Sequence, residues 1–233
     1  MLLTLEPLPE LVDALVEAAK DDPLGAKRWK GREEPNHPDG WGYATLVEGS
    51  VREYRSKRAI WEDLEEVSYL KKVMRGPTLV HVRKTSISGT KEFLQNVQPV
   101  NVSNVVWVGY NGTIDPKSLE APRPLKDLME RGLLADTAAV AWAVLENYSE
   151  DPYETAKGVY EWLKEAVPED GGAAITFLDP LGKGGFAWLS KAGDPELSYY
   201  RLYILKGKKA VASSTVALKH GGEWVEAPNF GSL

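Results

Sequence analysis

Polar side chains with complementary chemistry follow two predicted strands and precede one predicted helix. Arg83 follows an apolar strand-like run, Asn111-Gly112 ends another, and Asp136 precedes a helical run. A guanidinium can hold a carboxylate through two parallel hydrogen bonds. A side-chain amide beside a flexible backbone N–H supplies the two donors that an oxyanion needs, and a carboxylate can bind an ammonium group. Together these groups predict a site for a free amino acid that undergoes acyl transfer.

Each of these groups also has an ordinary structural role, which is the more common one for any of them taken singly. Asp136 would cap a helix, and His81, between two valines, would be a hydrogen-bonded residue of a strand. The run 182–185 is a turn, because it lacks the phosphate-loop spacing and precedes no helix. Ser213 and His220 are not predicted to form a hydrolase pair, because no Gly-x-Ser-x-Gly elbow surrounds that serine.

The elements that must position these groups are strands and helices with hairpin turns between many of the strands. Strands are predicted over 1–5, 43–48, 51–55, 78–83, 105–110, 173–178, 185–191, 199–206 and 209–213, and helices over 11–21, 60–74, 137–148 and 154–167. Hairpin-joined strands with helices gathered between them favour two antiparallel sheets flanked by helices over a parallel sheet. No linker or repeat interrupts the chain, so a single domain over 1–233 is expected.

Composition excludes several functional classes. The 28 Lys and Arg against 34 Asp and Glu give a net charge of −6 with no basic half, which disfavours a nucleic-acid binder. The apolar runs are far shorter than the roughly 18 to 20 residues that span a bilayer. With no signal peptide recognised, no membrane association is expected and a cytoplasmic location is predicted. Few Gln residues and no Cys, beside abundant Glu and Lys, favour a thermophilic source.

The absence of cysteine removes disulfides, thiolate zinc sites and thiol redox chemistry. Since the chain has only three His, a multi-His metal centre is not expected either. The prediction is therefore a site with no metal and no cofactor.

Taken in order, four segments resemble the motifs of the class II glutamine amidotransferases, the N-terminal-nucleophile type, and especially their stand-alone members. These segments are His37-Pro38-Asp39-Gly40-Trp41-Gly42, His81-Val82-Arg83, Asn111-Gly112 and Ala135-Asp136-Thr137. The tail, 211–214 and 224–228, resembles the closing strand of that family. The resemblance implies a four-layer αββα sandwich of two antiparallel sheets flanked by helices, an α+β fold of the N-terminal-nucleophile hydrolase type, which agrees with the predicted element order.

The resemblance also implies a role for each site residue. Arg83 would bind the α-carboxylate of glutamine and Asp136 its α-amino group, while Asn111 and the N–H of Gly112 would stabilise the oxyanion. The remaining substrate side of the site would include Thr85, Asp39, Gly40, Trp41 and Gly42. The implied reaction converts glutamine to glutamate and ammonia, and the ammonia would pass to a partner protein that accepts it.

The chain departs from the family pattern at the nucleophile, because the family attacks the amide with an N-terminal cysteine and this sequence has none. One hypothesis is that the true start lies a few codons upstream of Met1. The alternative is a non-catalytic module that binds glutamine or another amino acid. A further departure is Gln98, where relatives often have His before Pro, and this residue is expected to alter its side of the pocket.

Overall fold

The structure is a computed structural model that describes residues 1–28, 34–85, 88–114, 121–191 and 198–233. The strands in these ranges are β1 (Leu2–Thr4), β2 (Trp41–Val47), β3 (Ser50–Ser56), β4 (Thr78–Val82), β5 (Val100–Val102), β6 (Val106–Gly112), β7 (Gly172–Leu178), β8 (Gly184–Ser190), β9 (Leu202–Leu205), β10 (Ala210–Ser213), β11 (Trp224–Glu226) and β12 (Phe230–Ser232). The helices are α1 (Pro9–Lys20), α2 (Pro23–Arg28), α3 (Leu64–Val73), α4 (Arg123–Glu130), α5 (Thr137–Glu146), α6 (Pro152–Ala166) and α7 (Ser214–His220).

The strands form two sheets in which the described pairs are antiparallel. The first sheet has the order β11-β9-β10-β1-β4-β2-β3, and the second has the order β12-β8-β7-β6-β5. Side chains alternate between the two faces of a strand, so each sheet presents one apolar face to the other sheet and one to helices. In β4, for example, Val80 packs on the helix side and Leu79 packs between the sheets.

Helices cover both outer faces and complete the four layers. Helices α1, α3 and α7 pack on the first sheet, around a cluster that includes Leu15, Leu70 and Val216. Helices α5 and α6 pack on the second sheet, around Val140 and Leu163. A third apolar cluster fills the space between the sheets. The expected α+β sandwich of two antiparallel sheets flanked by helices is therefore confirmed.

Among the described residues, three helices and three short strands were not predicted from the hydrophobic pattern, although β11 lies in the tail segment 224–228 that resembles part of the family's closing strand and loop. Helices α2, α4 and α7 have six to eight residues each, and strands β5, β11 and β12 have three. Elements this short contain too few positions to show a hydrophobic period. Tertiary packing stabilises the short helix α7, in which Val216 and Ala217 are buried against the rest of the protein. Within the described residues, no helix has the length and apolar character needed to cross a membrane.

Candidate functional site

A cavity of about 160 Å³ opens between the two sheets, at the end of β4 and β6 and the start of α5. Its lining includes five residues predicted to act together, namely Arg83, Thr85, Asn111, Gly112 and Asp136. A cavity of about 150 Å³ can hold a ligand of the size of benzene, so this one can admit a small molecule. The structure thus brings together residues that are up to 53 positions apart in the sequence.

Strand register places His81 at the centre of one cavity wall. Gly42 of β2 pairs with His81 on one side. On the other side Leu2 pairs with Val80, which puts Met1 beside His81. Both Met1 and His81 line the cavity.

Arg83 is a buried cation with an unused donor. It is 4% exposed, and its Nη2 donates to Thr90 Oγ1 at 2.7 Å. Its Nη1 is buried and has no partner among the described residues, and none of their carboxylates lies within 4.0 Å to form an ion pair with it. Burial lowers the pKa of Arg83, while the charges of Asp39 and Asp136 act in the opposite direction. A buried donor without a partner costs free energy, and a carboxylate ligand would remove that cost.

Asp136 stands at the N-terminus of α5, as expected of a capping residue, but its side chain makes no capping hydrogen bond. Asp151, in the same position before α6, does cap its helix by accepting from the Tyr153 N–H at 2.9 Å. The half-buried Asp136 instead accepts from the Tyr110 hydroxyl at 3.3 Å. Removal of water by the surrounding protein raises its pKa, against the opposing effects of the Tyr110 hydroxyl, the backbone N–H of Thr137 and the charge of Arg83. Its carboxylate is therefore available to a cationic ligand.

Asn111 presents an amide donor to the cavity. The Tyr199 hydroxyl donates to Asn111 Oδ1 at 3.5 Å, which is a long contact. This contact orients the side-chain amide, and none of the described residues accepts a hydrogen bond from Nδ2. An oxyanion in the cavity would supply that acceptor.

The backbone N–H of Gly112 points away from the neighbouring strand β7. Thr113 N–H donates to the Gly172 carbonyl at 2.9 Å. Because an antiparallel ladder alternates bonded and non-bonded pairs, the N–H of Gly112 faces the opposite edge, as does that of Tyr110. Only glycine fits here, since a Cβ at position 112 would lie 2.7 Å from the Cα of Ala173. The strand end thus offers a second donor on the cavity side.

Gln98 joins the two elements that carry the site. Its buried side chain accepts from the Tyr110 N–H and donates to Thr137 Oγ1 at 3.3 Å. It therefore ties β6 to the first residue of α5, next to Asp136. The sequence indicated a change in the pocket at this position, and the structure places Gln98 in the cavity lining with these two contacts.

Asp39 and Trp41 are not among the residues that line the cavity. Asp39 lies behind the wall, where its Oδ2 accepts from the Thr85 N–H at 2.8 Å and its Oδ1 pairs with Lys91 at 2.9 Å. Trp41 is fully buried in the layer between the first sheet and its helices, and its Nε1 donates to Asp63 at 3.1 Å. Trp41 faces the helices because its strand alternates, which the sequence motif alone did not reveal.

Gly40 and Gly42 also lie outside the lining and allow close backbone packing behind it. Gly40 has a φ of +111°, and a Cβ there would lie 2.6 Å from the Ser56 carbonyl oxygen. A Cβ on Gly42 would lie 2.5 Å from the Tyr54 carbonyl oxygen and 2.8 Å from that of Gln98. These glycines therefore let the segment that carries Gln98 approach the wall.

Sequence reasoning missed a hydrogen-bonded cluster on the cavity wall formed by Asp22, His37 and Thr215. His37 Nε2 donates to Asp22 at 2.8 Å and Thr215 Oγ1 donates at 2.6 Å, while the Gly25 N–H donates at 2.9 Å. Burial alone would raise the pKa of Asp22, but these hydrogen bonds outweigh it and the pKa is lowered. No spacing in the sequence indicates a contact between residues 193 positions apart.

No protein-family profile and no curated protein matches this chain. Among solved structures, the chain is similar to the allosteric regulatory enzyme of purine biosynthesis, with a TM-score of 0.59 at 16% identity. The match covers 100% of this chain. The chain has the N-terminal-nucleophile hydrolase fold. The resemblance to class II glutamine amidotransferases is thereby confirmed at the level of the fold.

This chain spans about half of that enzyme, 48% of its length. The chain is also similar to a glutamine aminotransferase class-II domain protein from Silicibacter pomeroyi, at 15% identity over 84% of this chain and 90% of that one. The TM-score of this second match is 0.48, which is too low to add to the conclusion on the fold.

Proposed function

We propose that this chain binds L-glutamine in the cavity and that the site is built for hydrolysis of the side-chain amide. The observation that carries the proposal is the buried guanidinium of Arg83, whose Nη1 lacks a partner among the described residues. Glutamine would place its α-carboxylate on Arg83 and its α-ammonium group on Asp136. A zwitterionic ligand satisfies both charges at once, whereas each charge by itself is costly to enclose.

The amide end of glutamine would meet the two donors at the end of β6. Asn111 Nδ2 and the Gly112 N–H would stabilise the oxyanion that forms when the amide carbonyl is attacked. Collapse of the tetrahedral intermediate breaks the C–N bond and releases ammonia, and water completes the conversion to glutamate. In the catalytic form of the proposal, ammonia passes to a partner protein that accepts it.

The nucleophile separates two forms of this proposal. The 233 residues contain no cysteine, so no thiol is available from the side chains of this sequence. The family mechanism, attack by a cysteine whose own α-amine acts as the base, needs a thiol in addition to the residues present here. The second candidate function, a glutamine-binding module that does not hydrolyse its ligand, is favoured by this lack of cysteine and needs only the Arg83 and Asp136 contacts.

Calorimetry of glutamine binding tests what both forms share. Arg83→Met should weaken glutamine binding by about 10- to 150-fold, because a hydrogen bond to a charged group contributes about 1.5–3 kcal/mol. Arg201→Met is the matched control, since Arg201 pairs with Glu226 at the surface. Unchanged glutamine binding in Arg83→Met would refute the carboxylate assignment.

Hydrolysis assays separate the two forms. Release of glutamate and ammonia should be followed for the 233-residue chain and for a version with Cys-Arg added ahead of Met1. If the extended version is active, Asn111→Ala should lower its rate by about a hundredfold to a thousandfold and leave glutamine binding intact. If both versions bind glutamine and neither hydrolyses it, the binding module is supported. N-terminal sequencing of the protein from its own cells then shows whether a cysteine is present.

A further inference from the structure

His81 carries an unused hydrogen-bond acceptor inside the cavity. The side chain is 4% exposed, and its Nδ1 is buried without a partner among the described residues. Burial is the main cause that holds the pKa of His81 well below its ordinary value, the charge of the N-terminal ammonium group of Met1 is the next largest, and the charge of Arg83 acts in the same direction. The backbone of Tyr110 acts on the pKa of the ring in the opposite direction. We assign the proton of the neutral ring to Nε2, because the buried Nδ1 has no partner among the described residues. Nδ1 therefore carries a lone pair that accepts no hydrogen bond from any described residue.

The spacing from Arg83 to His81 matches the length of a glutamine side chain. The two residues lie on one face of an extended segment, since the Arg83 N–H still donates to the Gly40 carbonyl at 2.8 Å. Two residues of a strand span about 6.6 Å. Four bonds of about 1.5 Å each separate the α-carboxylate carbon of glutamine from its amide carbon. Because bond angles shorten the chain, these four bonds span about 5 Å when extended, so a glutamine whose carboxylate lies at Arg83 extends its amide toward His81.

We propose that His81 Nδ1 accepts a hydrogen bond from the side-chain amide N–H of bound glutamine and thereby selects glutamine over glutamate and asparagine. This inference rests on the proposed function and specifies its ligand. A glutamate carboxylate has no N–H to donate, so its lone pairs would face the lone pair of Nδ1. Asparagine is one methylene shorter, so it cannot reach His81 while it keeps both contacts at its α-carbon.

Two other titratable groups that line the cavity are held by other partners. The N-terminal amine of Met1, beside His81, donates to Ser213 Oγ at 3.4 Å. His37 also has a buried Nδ1 without a partner among the described residues, but its ring is held by Asp22. Asp22 lies on the wall formed by α1 and α7, whereas His81 shares its strand face with Arg83. The geometry therefore assigns recognition of the amide to His81.

Calorimetry with L-glutamine, L-glutamate and L-asparagine tests the proposal through the ratio of dissociation constants, which does not depend on the fraction of folded protein. The wild-type chain should prefer glutamine to glutamate by about 10- to 100-fold, the range expected for one buried group left unpaired. His81→Leu should bring that ratio close to one. His81→Asn should retain a preference for glutamine, because its amide oxygen can replace Nδ1 as an acceptor. His220→Asn, at a surface histidine that accepts from Trp224, should leave the ratio unchanged.

Long-range ¹H–¹⁵N spectra of the imidazoles give a readout that a merely structural role would not move. The Nδ1 resonance of His81 should show an unprotonated nitrogen in the free protein and should shift when glutamine binds but not when glutamate is added. Equal affinity of the wild-type chain for glutamine and glutamate would overturn the role of His81 and leave the amino-acid site intact. A preserved ratio in His81→Leu would also overturn it. No binding of any of the three amino acids would overturn both proposals.

Discussion

Asp136→Asn distinguishes a ligand-binding carboxylate from a helix cap, because relief of an enclosed charge predicts a gain in stability, whereas a cap predicts no gain, since Asn caps a helix as well as Asp does. In the structure Asp136 makes no capping bond, and its enclosure raises the pKa of its carboxyl above the ordinary value of 3.8. Enclosure therefore disfavours the ionised carboxylate in the folded state. Asn has almost the same shape, can still accept from Tyr110 and carries no charge.

The expected magnitudes follow from these contacts. Loss of a charge-assisted hydrogen bond to the α-ammonium group, about 1.5–3 kcal/mol, should weaken glutamine binding by about 10- to 150-fold. The free energy of unfolding should rise at pH 7 by about 0.5–2 kcal/mol, the range of substitutions that relieve a local cost. For a chain of this size that raises the melting temperature by about 1–8 °C.

The pH dependence has a defined sign. Because the folded-state pKa of Asp136 is raised, protonation of this group stabilises the wild-type fold, and that stability is lost as the pH rises through the raised pKa. The gain in the Asn variant should therefore be full above the raised pKa. It should disappear below pH 3.8, where the carboxyl is protonated in both the folded and the unfolded states.

Thermal unfolding from pH 3 to 8 and calorimetry with glutamine measure both effects. Asp151→Asn is the matched control, since it changes a capping aspartate far from the cavity for another good capping residue. This control should leave glutamine binding unchanged. An Asp136→Asn protein that shows no rise in melting temperature at pH 7 and binds glutamine as the wild type does would refute the reasoning and identify Asp136 as a structural residue.

Three further substitutions test the supporting structure. Gly112→Ala should lower the free energy of unfolding by about 1–3 kcal/mol, because its Cβ would enter the backbone of β7; Gly76→Ala, in open space, should have little effect on the melting temperature. Gln98→Leu leaves the Tyr110 N–H unpaired, so denaturant titration should show that the free energy of unfolding falls by about 1–3 kcal/mol. Glutamine binding should also weaken, because the start of α5 loses its hydrogen bond to Gln98. Trp41→Phe should destabilise the protein in the same assay and leave the dissociation constant of glutamine unchanged, whereas a changed constant would place Trp41 in the site.

Local patterns in the sequence predicted the parts of this protein that depend on neighbouring residues. Runs of β-branched and apolar residues identified β4 and β6, and a helix opened by Asp136 was predicted where α5 lies, so the elements that carry Arg83, Asn111 and Asp136 were all predicted. The layered architecture followed from the order of hairpins and helices. Roles for individual site residues came from the resemblance to a family and remain proposals.

Tertiary structure decided which of these groups meet and which face the cavity. The register of β1, β2 and β4 places His81 in the wall and turns Trp41 toward the helices. Folding also joins Asp22 to Thr215 across 193 positions and leaves Arg83 without an ion pair among the described residues. The physical reason is that local patterns report only which face of an element is apolar. Contacts between distant residues depend on how the sheets and helices pack, and the sequence contains no local signal for that.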